Sequence, residues 1–303
     1  MHGGSGILIV ASGGLGDAVL LAHVFPRFAA LAQPGERICL LLRRDAGKMA
    51  FLFDGLCDVE TVDYDRFAKS FWFRRATVER LGAQNWRLIV SVDYLRHPKR
   101  DEALIKSLSA DEKIAMIARP WKKYDSALAK NKKIYACLFE SGPIHLDKVV
   151  RWARFADFLT GSIVAPPILR LAPDRLPQPA IEAKPFAILI PYSAVREKQA
   201  APDLFIDIVK ALPDDLDIIV AGAPDDPARN PDYAALLDLP RVRFEAAAFE
   251  RLARLSRAAK IVVSVDTAAM HLSVAMGAPT LCLASAAYVG EIVPYAETIT
   301  PPN

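Results

Sequence analysis

Two short runs carry the side chains best suited to chemistry. Near the C-terminus, Ser264-Val265-Asp266-Thr267-Ala268-Ala269-Met270-His271 follows the β-branched segment Ile261-Val262-Val263 and leads into a helical run that stops at Gly277 and Pro279. Strand, polar turn and helix are the predicted order. Asp266 or Thr267 can cap that helix. The first-turn N–H groups then lack intrahelical acceptors, and with the positive end of the helix dipole they suit an anion such as the phosphates of a nucleotide. Thr267 and His271, four residues apart, share one helix face beside that anion position. Near the N-terminus, Ser12-Gly13-Gly14-Leu15-Gly16-Asp17 follows the apolar run Ile7-Leu8-Ile9-Val10. Gly14 and Gly16 allow a tight turn and the close approach of a ligand. Asp17 stands at a helix start, where it can act as an N-cap or, in a cleft, as a general base toward an acceptor hydroxyl.

Other loops offer second holds. Ser193, Arg196 and Lys198 lie just after the apolar segment Phe186–Ile190, where Ser193 and the cations could grip phosphate. Gly222, Asp225 and Asp226 follow a further strand and either meet a ribose or form a Pro-Asp turn. His271 is either a satisfied, partly buried histidine or a ligand contact. Between Tyr94 and Lys133, eleven Lys/Arg face five acids, with Trp121 and Tyr124 interleaved. This 94–133 stretch is a charged face or a surface for an anionic acceptor or phospholipid headgroups. Read as a dinucleotide fingerprint from Gly14, the first loop fails at Val19, and Arg43 and Arg44 occupy the place of the expected acid. Those arginines suit an NADP-type cofactor, so an NAD(P)-dependent oxidoreductase is the alternative reading.

The elements that must position these residues alternate. Strands are predicted at Ile7–Val10, Arg37–Leu42, Val59–Val62, Arg87–Asp93 and Lys113–Ile117, and helices after Asp17, over Phe67–Leu81 and over His145–Leu159, the last ending at Gly161. A proline-dense stretch, 166–185, follows as a linker. A second series has strands at Phe186–Ile190, Leu216–Ala221, Val242–Phe244, Ile261–Val263 and Pro279–Leu283, with helices over Pro202–Leu212 and Phe249–Ala258. Strands alternating with helices imply βαβ units and parallel sheets. The expected organisation is α/β, with Rossmann-like domains at 1–165 and 186–303. Ligands of such sheets lie beyond the carboxyl ends of strands.

At 303 residues, with 52% hydrophobic and 24% charged side chains and a net charge of +3, the chain reads as a soluble globular protein without a nucleic-acid footprint. Cys39, Cys57, Cys137 and Cys282 form no CxxC pair and read as buried thiols of a reducing compartment rather than a zinc site or disulfide framework. The polar start Met1–Ser5 does not resemble a signal peptide, and no apolar run has membrane-spanning length. A cytoplasmic protein is expected, with any membrane role peripheral.

Leu15-Gly16-Asp17 after the first strand, the Lys198 loop, His145-Leu146-Asp147 before a helix ending Leu159-Thr160-Gly161, and Asp266-Thr267-Ala268-Ala269-Met270-His271-Leu272 after a strand together resemble glycosyltransferase family 9, the ADP-heptose:lipopolysaccharide heptosyltransferases and their relatives. The resemblance spans nearly the whole chain in order. It implies a GT-B fold, with two Rossmann-like domains whose parallel sheets face a central cleft. It implies inverting, metal-independent sugar transfer without a cofactor, from a nucleotide-diphosphate donor such as ADP-heptose to a lipopolysaccharide-core or similar anionic glycan, at the cytoplasmic face of the bacterial inner membrane. By carry-over, Asp17 is the base, and Lys198, Asp266, Thr267 and the N–H groups around Ala268 hold the diphosphate, with His271 close behind. The chain departs from the family at Ala268, where glycine is frequent, at Ala11-Ser12, where a basic residue is frequent, and at Gln199-Ala200, where an aromatic usually follows the lysine. A non-catalytic nucleotide-sugar-binding relative is the second alternative.

Overall fold

The computed structural model describes residues 6–285 and 292–302; the polar start Met1–Ser5 lies outside them. The chain forms two compact units, 1–166 and 167–303.

The first unit holds a six-stranded, wholly parallel sheet: β1 (Gly6–Ala11), β2 (Arg37–Arg43), β3 (Asp58–Val62), β4 (Trp86–Ser91), β5 (Glu112–Met116) and β6 (Cys137–Phe139), in the order β3-β2-β1-β4-β5-β6. β1 is central, which explains its unbroken apolar run: both faces are covered, and Ile7, Leu8, Ile9 and Val10 are each 0% exposed. Burying such a side chain stabilises the fold by about 1.5–3 kcal/mol. One face packs Leu8, Val10, Cys39, Leu41 and Ile89 against Phe67, Leu81, Leu104 and Ile105. Two other helices, α1 (Leu15–Ala29) and α2 (Lys148–Thr160), pack on one another through the edge-to-face rings of Phe28 and Phe155.

The predicted helix over Phe67–Leu81 is two helices, Tyr64–Lys69 and Phe71–Gly82. Ser70 adopts extended angles and its hydroxyl accepts the Phe73 N–H, so it caps the second helix instead of continuing the first. The helix predicted from His145 starts only at Lys148, because the Asp147 carboxylate takes the N–H groups of Val149 and Val150. Gly161, at φ 69°, supplies the left-handed residue that ends it. The edge strand β6 has no counterpart among the predicted elements.

The second unit holds β7 (Phe186–Ile190), β8 (Asp217–Gly222), β9 (Val242–Ala246), β10 (Ile261–Val265) and β11 (Thr280–Leu283), again all parallel, in the order β11-β10-β7-β8-β9. The helix α3 (Ala268–Ala275) follows β10. Counted from its own first strand, this sheet repeats the 3-2-1-4-5 order of the other. The proline-dense stretch is not a free strand of chain. Leu169 N–H donates to Ile299 O, Leu171 N–H to Ala275 O and Ala180 N–H to Arg254 O, so it lies along the second unit.

Candidate functional site

In a sheet of this order the chain leaves the first and fourth strands in opposite directions, and a crevice opens beyond their carboxyl ends. In the first unit the bordering segments are those after β1 and β4. The Ser12 N–H donates to Asp93 Oδ2 at 2.6 Å across that gap, and Val92 N–H to Val10 O at 3.0 Å. Asp17, in the first turn of α1, accepts the Gly14 N–H at 2.8 Å through Oδ2. Its Oδ1 accepts from Lys148 Nζ at 2.6 Å. The Asp17 carboxylate is thus both the helix cap and a partly exposed acceptor held by a cation. Its side chain keeps 26% of its surface. Gly13 is needed here because a Cβ on it would lie 2.5 Å from Asp17 Oδ2, whereas one on Gly14 would meet only the Arg43 guanidinium, at 3.3 Å. Gly16 lies inside the first turn of α1.

Behind this loop is a buried acidic group. Burial pushes the Asp93 carboxyl up to about 6, opposed by its hydrogen bonds from Ser12; nearby Asp17 raises it further and Lys148 lowers it. Asp101 is raised well above the usual carboxylate range by burial first and by Asp93 next. Lys148 and Asp93 were not singled out in the sequence. The available signal for Lys148 was a cation in the first turn of a helix, where the dipole disfavours it and a carboxylate partner is to be expected.

In the second unit the corresponding segments follow β7 and β10. Lys198, on a single turn Arg196–Lys198, donates to Asp266 Oδ2 at 2.6 Å. Thr267 is the residue that caps α3: its hydroxyl accepts the Met270 N–H at 3.3 Å. The Ala268 and Ala269 N–H groups then stand at the open helix end. His271 is buried. Its Nδ1 lies 2.6 Å from the Tyr295 hydroxyl and its Nε2 3.8 Å from Asp266 Oδ1. Burial lifts the neighbouring Cys282 thiol to about 11, with Asp266 adding to the rise. Lys198, Asp266, Thr267 and His271 therefore gather at one crevice.

The remaining predicted residues have other partners. Ser193 shapes its loop: its hydroxyl accepts the Val195 N–H and its carbonyl the Gln199 amide. Arg196, expected beside Lys198 as a phosphate grip, is instead engaged by Asp232, Asn230 and Gln199. Gly222 leaves room for the Tyr192 ring and the Asp226 carboxylate, each 2.8 Å from where a Cβ would be. Asp226 accepts the Ala223 N–H at 2.6 Å, which closes the turn after β8, and Asp225 pairs with Arg229 on the surface. Within 94–133, Arg96 is buried against Glu102, Arg100 pairs with Asp65, and Lys113 donates to the carbonyls of Ile105 and Leu108. Lys99, Lys106, Lys122, Lys123, Lys130, Lys132 and Lys133 remain exposed.

Comparison with known proteins bears on the fold and on the second unit. Residues 176–301 match the model of glycosyltransferase family 9 (heptosyltransferase). The structure aligns with E. coli heptosyltransferase WaaC bound to ADP, at 21% identity and a TM-score of 0.70 over 91% of this chain and 86% of that one. With the same enzyme bound to ADP-2-deoxy-2-fluoro heptose the values are 21%, 0.68, 91% and 87%. A family 9 glycosyl transferase from Veillonella parvula DSM 2008 aligns at 14% identity and TM-score 0.69, over 93% and 82%. At these identities the likeness is one of fold, the GT-B class with its two Rossmann-like units. No curated protein sequence matches the chain.

Proposed function

We propose, on the premise that residues 176–301 are a glycosyltransferase family 9 domain, that the protein transfers a sugar from a nucleotide-diphosphate donor to a glycan hydroxyl. The donor is ADP-heptose or a close relative, and the acceptor a lipopolysaccharide core or similar anionic glycolipid. Transfer inverts the anomeric centre, needs no metal or other cofactor, and takes place in the cytoplasm at the inner membrane.

The observation that carries this reading lies in the second unit, where Lys198 is held at 2.6 Å by Asp266 beside the Thr267-capped helix N-terminus; within the first unit Asp17 is a held carboxylate after β1. Asp17 takes the proton of the acceptor hydroxyl. The acceptor oxygen bonds to the anomeric carbon as the bond to the diphosphate oxygen breaks, through an oxocarbenium-like transition state. The departing diphosphate carries the negative charge to Lys198 and the N–H groups of Ala268 and Ala269, a leaving-group site made of fixed dipoles and one cation. Asp266, itself an anion, acts by holding Lys198 at 2.6 Å. Thr267 fixes the helix start, and His271 Nε2 lies 3.8 Å from Asp266 Oδ1. On this reading Ser193 belongs to the phosphate side, Gly222 and Asp225 to the nucleoside, and Gly14 and Gly16 to the acceptor-side loop.

A donor panel read by thermal shift tests the reading, since a ligand that binds only the folded state raises apparent stability. ADP-heptose, or ADP alone, is expected to raise the melting temperature more than NADPH. Stabilisation by NADPH and by no nucleotide sugar would instead support the oxidoreductase.

A further inference from the structure

We propose that the carboxyl-edge rim of the first sheet, led by the Phe71–Trp72 pair, docks onto an anionic lipid surface. Phe71 and Trp72 are the first two residues of the helix Phe71–Gly82. They are 66% and 72% exposed, and their rings stack edge-to-face at 5.4 Å. Two adjacent large aromatics left in water mark a surface made for a partner. Trp and Phe beside cations are the composition of segments that rest in the headgroup layer.

The cations are present. Arg66, Lys69 and Arg75 are exposed around the pair. Arg75 shares Glu79, whereas Arg66 and Lys69 have no carboxylate partner among the described residues; the Arg66 guanidinium lies over the Phe73 ring, at 4.6 Å. The rim continues along the same edge. Arg100 pairs with Asp65, joining this corner to the loop after β4, and His97 lies 3.1 Å from the Tyr124 hydroxyl, joining that loop to the one after β5. Lys99, Lys122 and Lys123 are exposed there. The Asp17 loop leaves the sheet at this edge too, after β1.

Charge distribution favours a lipid over a protein partner. The overall +3 conceals two opposite halves: residues 1–166 contain 25 Lys/Arg against 18 Asp/Glu, net +7, and residues 167–303 contain 13 against 17, net −4. A positive unit ending in an aromatic wedge suits phosphate-rich headgroups. Among the described residues no helix is long and apolar enough to cross a bilayer, so the contact is one of surface docking. The docking itself does not depend on the proposed transfer. It rests on that reading only in implying that the acceptor hydroxyl is presented by a lipid-borne glycan.

The test is sedimentation of the full-length protein with vesicles of phosphatidylethanolamine and phosphatidylglycerol, against vesicles of phosphatidylcholine. Binding is expected only to the anionic vesicles, weakening with salt. Phe71→Ser/Trp72→Ser should lower partitioning at least about tenfold, with an unchanged melting temperature because both rings are exposed. Arg66→Glu/Lys69→Glu should also weaken it and flatten the salt dependence. The proposal is overturned if wild type binds neutral and anionic vesicles alike, if it binds neither, if the Phe71/Trp72 variant binds as wild type does, or if binding appears only when acceptor glycolipid is included. ADP binding by each variant, measured in parallel, is expected to be unchanged; its loss in wild type would count against the transferase reading and not against docking.

Discussion

Lys148 Nζ lies 2.6 Å from Asp17 Oδ1, across 131 residues of sequence, while the other oxygen of the same carboxylate accepts the Gly14 N–H at 2.8 Å. One oxygen is fixed by the helix start and the other by a cation from a second helix, which leaves the carboxylate little freedom to rotate. Under the proposed function, Lys148→Ala should lower kcat by roughly tenfold through misplacement of the base and leave ADP affinity intact. Lys148→Arg should recover part of the loss. Steady-state kinetics with a separate ADP titration check this; an unchanged kcat in Lys148→Ala contradicts it.

Gly13 and Gly14 are adjacent, yet only the first is sterically committed. A Cβ at Gly13 would sit 2.5 Å from Asp17 Oδ2 and 2.6 Å from its Cβ, so Gly13→Ala must displace the Asp17 carboxylate. Gly14, at φ −82° and ψ −169°, has angles open to any residue and only the tip of Arg43 nearby. Gly13→Ala should lower the melting temperature, by about 1–3 kcal/mol of stability, and reduce kcat. Gly14→Ala should fold as wild type does. Equal melting temperatures for the two variants would show that the loop relaxes freely.

Asp93 makes stability depend on pH. Burial raises its pKa from 3.8 to about 6. The folded state therefore holds this proton more tightly than the unfolded chain, so ionising it costs stability as pH rises from about 4 to about 6, and the full cost persists above. Linkage puts that cost on the order of 3 kcal/mol. Asp93→Asn, which can still accept the Ser12 N–H, should stabilise the protein at pH 7.5 and have little effect at pH 4. Urea midpoints at the two values decide it; a destabilisation of equal size at both contradicts the assignment.

Under the proposed function, Lys198 has two separable roles. Lys198→Ala should weaken ADP binding by about tenfold or more, the scale of one charge-assisted contact. It should also cost about 1 kcal/mol of stability, because Asp266, 8% exposed, loses its cation. Adding Asp266→Asn should restore the melting temperature and not the affinity. Calorimetry on the single and double variants separates the roles; affinity restored in the double variant would mean that Lys198 acts only through Asp266.

Much of this architecture is legible in the sequence because the physics is local. The runs at Ile7–Val10 and Ile261–Val263 are apolar on both faces, which only central parallel strands require, and each runs straight into its polar turn. The same reasoning narrows the cap of the following helix to Asp266 or Thr267, and the structure selects Thr267. Three kinds of feature escape. β6 is three half-buried residues, Cys137–Phe139, too short to show a period. The break at Ser70 depends on its hydroxyl choosing the Phe73 N–H, an outcome that composition does not decide. Contacts made across the fold are invisible along it. Lys148, in a helix's first turn, calls for a carboxylate without saying which until it meets Asp17, and Arg196 reads as a phosphate ligand until it meets Asp232.

The central claim is that Asp17 is the base. Its most direct test is the rate of sugar transfer by Asp17→Asn, with donor affinity measured on the same preparation. A loss of roughly a hundredfold or more in kcat with ADP binding retained is predicted. Turnover at the wild-type rate would contradict the assignment.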